Sequence, residues 1–156
     1  MILSDISLKR LLKKGLIKDN NYTLDQIQPA SIDLRINETV TLPAHGTVLA
    51  STIEYLNIPD NYVARVEGRS TYGRLFLMIH SCAGFIDPGF QGNITLEIVN
   101  FNDKPYTFEK GEKVCQIVLE KMDRKSEKPY GHKDLNSHYQ GQTGITESYI
   151  THKNKG

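Results

Sequence analysis

The sequence predicts one mainly β domain, a sandwich, jelly roll or barrel, behind a single short helix. Three observations lead there. A chain of 156 residues fits one domain and can bury a core. From Pro29 onward, short runs rich in Val, Ile, Thr, Tyr and Leu alternate with Pro, Gly and Asn breaks, the pattern of many short strands joined by tight turns. Before Pro29, one segment alone repeats its apolar residues at helical spacing.

That segment starts at Ser4, an N-cap residue type, with Asp5 in the first turn where negative charge suits the helix dipole. Ile6, Leu8, Leu11 and Leu12 form its apolar stripe. Lys13 and Lys14 suit its C-terminal end, and Gly15 can close it in a left-handed conformation. Strands are expected over residues 31–36, 47–53, 62–67, 75–80, 94–100 and 114–120. Turns are expected at Pro59-Asp60, Pro88-Gly89 and Lys110-Gly111. Residues 1–125 make up the β domain. Residues 126–156 are polar with little apolar periodicity, and form either a frayed tail or a lid.

Composition narrows the functional classes. A formal net charge of +1 argues against binding nucleic acid without sequence preference, which needs a strongly basic face. Two cysteines, Cys82 and Cys115, are too few for a disulfide framework and read as buried thiols of a reduced cytoplasm. No run approaches the apolar length of a membrane span, and no long apolar stretch marks the N-terminus as a secretion signal. The expectation is a cytoplasmic protein with no membrane or nucleic-acid partner.

Chemistry concentrates between residues 68 and 97. In the run 94–99, strand periodicity puts Ile94, Leu96 and Ile98 on one face and Thr95, Glu97 and Val99 on the other. Glu97 is then either a solvated carboxylate on a half-exposed strand or a pocket carboxylate that accepts and donates a proton. Alternation leaves both readings open. Arg69 and Arg74 flank Ser70-Thr71-Tyr72-Gly73, which leads into the apolar run 75–79. That run reads as an interior strand buried on both faces. Arg74 before it is either a snorkelling surface residue or a buried cation with a committed partner. The turn at Asp87-Pro88-Gly89-Phe90 is either ordinary, with a core Phe, or reads a pyrimidine edge with its backbone while Phe90 supports the sugar. Zinc deaminases carry His-x-Glu and Pro-Cys-x-x-Cys; this chain has no Cys-x-x-Cys, so any deamination works without zinc. A Gly-x-x-x-x-Gly-Lys-Ser/Thr phosphate loop is also absent.

These motifs, in this order, resemble the dCTP deaminase family. The likeness runs from Met1-Ile2-Leu3-Ser4-Asp5 through Gln28-Pro29-Ala30-Ser31-Ile32-Asp33-Leu34-Arg35 and Leu49-Ala50-Ser51-Thr52-Ile53-Glu54. Its centre is Gly68-Arg69-Ser70-Thr71-Tyr72-Gly73-Arg74, then Ala83-Gly84-Phe85-Ile86-Asp87 and Glu97, and it ends on Tyr139-Gln140-Gly141-Gln142-Thr143-Gly144. The resemblance implies a dUTPase-like fold, a distorted β-barrel or jelly roll, in a homotrimer with active sites between subunits. It implies that Glu97 is the general acid and base for hydrolysis at C4 of dCTP. Ser70 and the carbonyl of Ala83 position the attacking water, and Arg74 holds that arrangement. Arg69, Ser70 and Thr71 lie where the family contacts triphosphate. Asp87 and Phe90 hold deoxyribose and base, and Tyr130, His138 and Gln142 belong to the closing tail. Mg²⁺ is expected to arrive on the triphosphate rather than in a protein cage.

Within the family, Ala83-Gly84-Phe85 and Gln116 resemble the bifunctional branch, which continues from dUTP to dUMP and diphosphate. There Asp87 orients a second water toward the α-phosphate. The alternatives are a deaminase that releases dUTP, a plain dUTPase and a non-enzymatic nucleotide-binding module; intact Glu97, Ser70, Arg74 and Asp87 argue against the last. The chain departs from the family at three places. His138 stands where a Lys precedes the tail Tyr, Thr71 and Cys82 replace the more usual Ser and Thr, and the segment between Arg35 and Leu49 is short.

Overall fold

Residues 1–153 are described by the structure, a computed structural model. Helix α1 (Asp5–Leu12) buries Leu8, Leu11 and Leu12. Ile6 falls outside that stripe and is exposed. Ser4 occupies the N-cap in an extended conformation, but its side chain makes no capping bond. Gly15 closes the helix at φ +88°, in the left-handed region expected of it.

Among the described residues nine strands follow: β1 (Ile32–Arg35), β2 (Val40–Leu42), β3 (Thr47–Asn57), β4 (Tyr62–Gly68), β5 (Leu77–Met78), β6 (Phe85–Ile86), β7 (Gln91–Asn100), β8 (Tyr106–Phe108) and β9 (Lys113–Lys121). They form three antiparallel sheets, ordered β1-β9-β4-β6, β2-β8 and β3-β7-β5. The expected barrel is therefore not closed. Its long ladder, β3 with β7, breaks register between Ser51 and Tyr55. Inside that break Thr52 Oγ1 donates to the Glu54 carbonyl at 2.9 Å and accepts from the Ile94 N–H at 2.9 Å. Toward β1 this stretch makes one isolated bridge, Ile36 with Thr52, where a continuous ladder would be needed.

The sheets and α1 share one apolar core that includes Leu8, Leu12, Ile32, Leu34, Leu96, Ile98, Phe108 and Ile117. The buried Glu54 ties the N-terminal segment to it. Its carboxylate accepts from Arg35 Nε at 2.7 Å, the Arg35 backbone N–H at 2.9 Å and Gln26 Nε2 at 2.8 Å. A buried charge so supplied with donors fixes register where an unpaired one would be costly.

Two expectations are corrected here. The run 75–79 is not an interior strand: only Leu77–Met78 pair, at the edge of the β3-β7-β5 sheet. Leu75, Met78 and especially Phe76 (69% exposed) face outward. An apolar run looks the same in sequence whether its second face meets core or another surface. Cys82 is exposed, so only Cys115 is a buried thiol, and burial pushes its pKa upward. The three expected turns all form, closed by Tyr62 N–H to Pro59, Phe90 N–H to Asp87 and Glu112 N–H to Glu109.

Candidate active site

Strand β7 builds the site floor. Its side chains alternate as the sequence predicts, with Ile94, Leu96 and Ile98 in the core and Thr95, Glu97 and Val99 half-buried on the opposite face. On that face lies a cavity of about 570 Å³ whose wall includes Glu97 and Thr95. That volume suits a nucleotide-sized ligand. Glu97 thus lies at a cavity wall, its side chain 35% exposed, and not on an open sheet.

The loop before β6 anchors one oxygen of Glu97. Oε2 accepts from Ser81 Oγ at 3.2 Å and from the Cys82 backbone N–H at 3.4 Å, with the Cys82 thiol 3.9 Å away. The weak thiol donor is therefore backed by a main-chain donor. Oε1 receives no hydrogen bond among the described residues, which leaves one carboxylate oxygen fixed and the other available. His80 also lies on the cavity wall, its side chain 8% exposed, with Nδ1 3.8 Å from Glu97 Oε2. That nitrogen is buried and has no hydrogen-bond partner among the described residues. Sequence reading missed His80, because a lone histidine after an apolar run carries no periodic signal.

Ala83, on the same loop, lines the cavity at φ +61°, in the left-handed region that costs a non-glycine residue energy. Next to it Gly84 passes so close to β4 that an added Cβ would sit 3.1 Å from the Val66 carbonyl oxygen. The turn after β6 then puts exposed Asp87 and buried Phe90 on the cavity wall.

The tail closes the opposite side. Phe90 packs on Tyr130, with ring centroids 5.8 Å apart. The Tyr130 hydroxyl accepts the Tyr139 N–H at 3.1 Å, and the Tyr139 hydroxyl accepts the Tyr149 N–H at 3.1 Å. This ladder of two phenols carries the tail across the cavity to a last helix, α3 (Tyr149–Lys153). Gln142 Nε2 donates to the Asn93 carbonyl at 2.6 Å, and the Asn93 N–H donates to the Gln142 carbonyl at 3.1 Å. Contact here is so close that a Cβ on Gly92 would lie 2.9 Å from both Phe90 Cζ and Gln142 Cγ. Tyr139, Thr146 and Ser148 join the wall beside the expected Tyr130 and Gln142.

The remaining expected residues lie elsewhere in the chain. Arg69 and the turn α2 (Ser70–Gly73) follow β4, and Arg74 ends that turn, exposed and without a partner among the described residues. Gln116 is on β9, held by a 2.6 Å bond from Ser31 Oγ to its Oε1. His138 stacks on Tyr149 with ring centroids 3.8 Å apart and is not on the wall. One chain thus unites Glu97, Ala83, Asp87, Phe90, Tyr130 and Gln142. It does not bring Arg69, Ser70, Thr71, Arg74, Gln116 or His138 to them.

The broken antiparallel β fold that carries this cavity has counterparts among solved structures. The native dUTPase of EIAV superposes with a TM-score of 0.56 over 77% of this chain and 94% of its own, at 23% identity. The 2'-deoxycytidine 5'-triphosphate deaminase from Agrobacterium tumefaciens gives 0.67 over 76% of this chain, at 21% identity; the match spans 47% of that chain. These likenesses define the class of fold, a dUTPase-like one. Sequence comparison goes further. The dCTP deaminase-like family model matches residues 36–122. A dUMP-forming dCTP deaminase of Methanosphaera stadtmanae is 42% identical over 185 aligned residues, 96% of this chain and 93% of the relative. The chain belongs to the dCTP deaminase family. The aligned length exceeds the 156 residues of this chain, so the relative carries insertions that this chain lacks.

Proposed function

We propose that this protein hydrolyses dCTP to dUTP and ammonia, and carries dUTP on to dUMP and diphosphate at the same site. The observation that carries the reading is the half-anchored Glu97 carboxylate on a nucleotide-sized cavity, in a chain whose relative is named for dUMP formation. Glu97 takes a proton from the water that attacks C4 and passes one to the departing N4 group, which leaves as ammonia. The fixed Oε2 holds the carboxylate plane while Oε1 meets the water. The Ala83 carbonyl and Ser70 hydroxyl position that water. Phe90 and Tyr130 pack against sugar and base, and Gln142 closes the wall. For the second step, the exposed Asp87 carboxylate has no side-chain partner among the described residues and orients water toward the α-phosphate. Mg²⁺ comes with the triphosphate, held by its oxygens and by waters. No step uses zinc. The free thiols Cys82 and Cys115 suit a reduced cytoplasm.

Ser70 and Arg74 reach this cavity only from a neighbouring subunit, and we place the enzyme in a homotrimer with shared sites. Two features support this. The turn that carries them lies off the cavity of its own chain. Exposed Leu75, Phe76, Met78 and Phe101 lie next to it along β5 and just past β7, apolar side chains that an interface would cover. In this assembly the described tail, residues 126–153, is the lid over the nucleotide; residues 154–156 of the expected tail lie outside the described residues. Anion-exchange analysis of products from dCTP and Mg²⁺ tests the reading. dUMP and diphosphate without free dUTP are expected; accumulated dUTP would remove the second step, and untouched dCTP the first.

A further inference from the structure

Strand β1 has no place on the cavity wall, yet two side chains of one face bear on residues that the proposed function assigns to the nucleotide. Ser31 and Asp33 are two residues apart and so share a face, and Asp33 pairs across the ladder with Gln116. Ser31 Oγ donates to Gln116 Oε1 at 2.6 Å. With its oxygen occupied, the Gln116 amide has its N–H donors left, and they make no bond among the described residues. Asp33 is 2% exposed, and its Oδ1 lies 3.5 Å from Arg69 Nε. Arg69 Nη1 donates to the Lys113 carbonyl at 2.8 Å. The guanidinium is thus hydrogen-bonded through Nη1 and faces the Asp33 carboxylate as an ion pair through Nε. Nη2 keeps its donors on a side chain that is 34% exposed.

We infer that Ser31 and Asp33 are positioning residues for phosphate binding, orienting the donors of Gln116 and Arg69 without touching the nucleotide themselves. The inference rests on the reading that Arg69 and Gln116 contact the triphosphate. An arginine fork binds phosphate well only when its plane is fixed beforehand. A carboxylate buried on a strand is a costly way to fix it. Burial raises the Asp33 pKa above the usual carboxylate range; Arg69, Lys113 and the Gln28 amide oppose the rise, and Asp25 adds to it. A group whose pKa is raised on folding prefers its protonated form there, so ionised Asp33 costs stability at neutral pH. That cost fades as pH falls through its folded value toward 3.8.

The test is steady-state kinetics and thermal melting of the full-length enzyme with Asp33→Asn, Ser31→Ala, Arg69→Ala and the Asp33→Asn/Arg69→Ala double variant. Asp33→Asn is expected to raise KM for dCTP about tenfold, as for one charge-assisted contact, with kcat nearly unchanged and Tm at pH 7 equal or higher. Ser31→Ala should raise KM about threefold. The double variant should bind no worse than Arg69→Ala alone, because Asp33 acts through Arg69. If Arg69→Ala raises KM while Asp33→Asn and Ser31→Ala leave it unchanged, the positioning role is wrong and the phosphate reading stands. If Arg69→Ala leaves KM unchanged, the phosphate reading of Arg69 fails and the inference falls with it. A lower kcat at unchanged KM in Asp33→Asn would also overturn it.

Discussion

The face of β7 and the turn after β4 hold most of the residues that the proposed function uses, and they are built differently. Around β7 the principal wall residues are held within one subunit: Glu97 by the loop before β6, Phe90 by Tyr130, Gln142 by Asn93. Around Arg69–Arg74 the backbone makes a single helical turn, Arg74 has no partner among the described residues, and apolar side chains beside it face outward. The first region is a finished half of a site. In the proposed trimer the second supplies the residues of the other half, beside apolar side chains that the interface would cover. The contrast teaches that residues grouped by their sequence motifs need not meet within one chain.

Glu97→Gln should have the largest effect. Gln keeps the shape and the anchoring contacts but cannot shuttle a proton, so deamination should fall by about 10²–10⁴-fold with KM for dCTP little changed. Normal turnover would take Glu97 out of the mechanism and blur the two regions into one. Removal of the tail after Met122 strips Tyr130, Tyr139 and Gln142 from the wall. It should lower turnover while gel filtration shows the same folded assembly as the full chain, since the apolar core draws no buried residue from the described tail. An unfolded or monomeric product would make the tail structural.

Gly92→Ala sharpens the comparison from inside the finished half. At φ +155° the new methyl would meet Phe90 and Gln142 at 2.9 Å. Tail closure should loosen, raising KM more than it lowers Tm. Equal losses in both would mean that Gly92 serves the fold and not the cavity. The smallest effect concerns acid stability. Relative to Asp33→Asn, wild type should gain stability as pH falls from neutral through the raised Asp33 value, because protonation relieves its burial. Parallel stability profiles would show that Asp33 carries no such cost.

Much of this was legible in the sequence where periodicity runs long. Strands β3, β4, β7 and β9 and helix α1 follow from their alternation, and the β7 pattern put Glu97 on the correct face before its surroundings were known. The two- and three-residue strands β2, β6 and β8 were not legible, because alternation needs more residues than they have. The α2 turn was missed for the same reason: four residues complete only about one helical period. Phe76 and Leu75 misled because an apolar residue does not say which partner will cover it. The family resemblance supplied a residue set that periodicity could not, yet it gave no sign of His80 or of the tyrosine ladder, which exist only as contacts between distant segments.

The shared site is the central claim, and mixed trimers test it most directly. Glu97→Gln and Arg74→Ala subunits are each expected to be inactive alone. Coexpressed and randomly assembled, they should recover up to about a quarter of wild-type sites, since a cyclic trimer then pairs an intact Glu97 with an intact Arg74 from its neighbour. No recovery from verified mixed trimers would contradict the account and return both residues to a single chain.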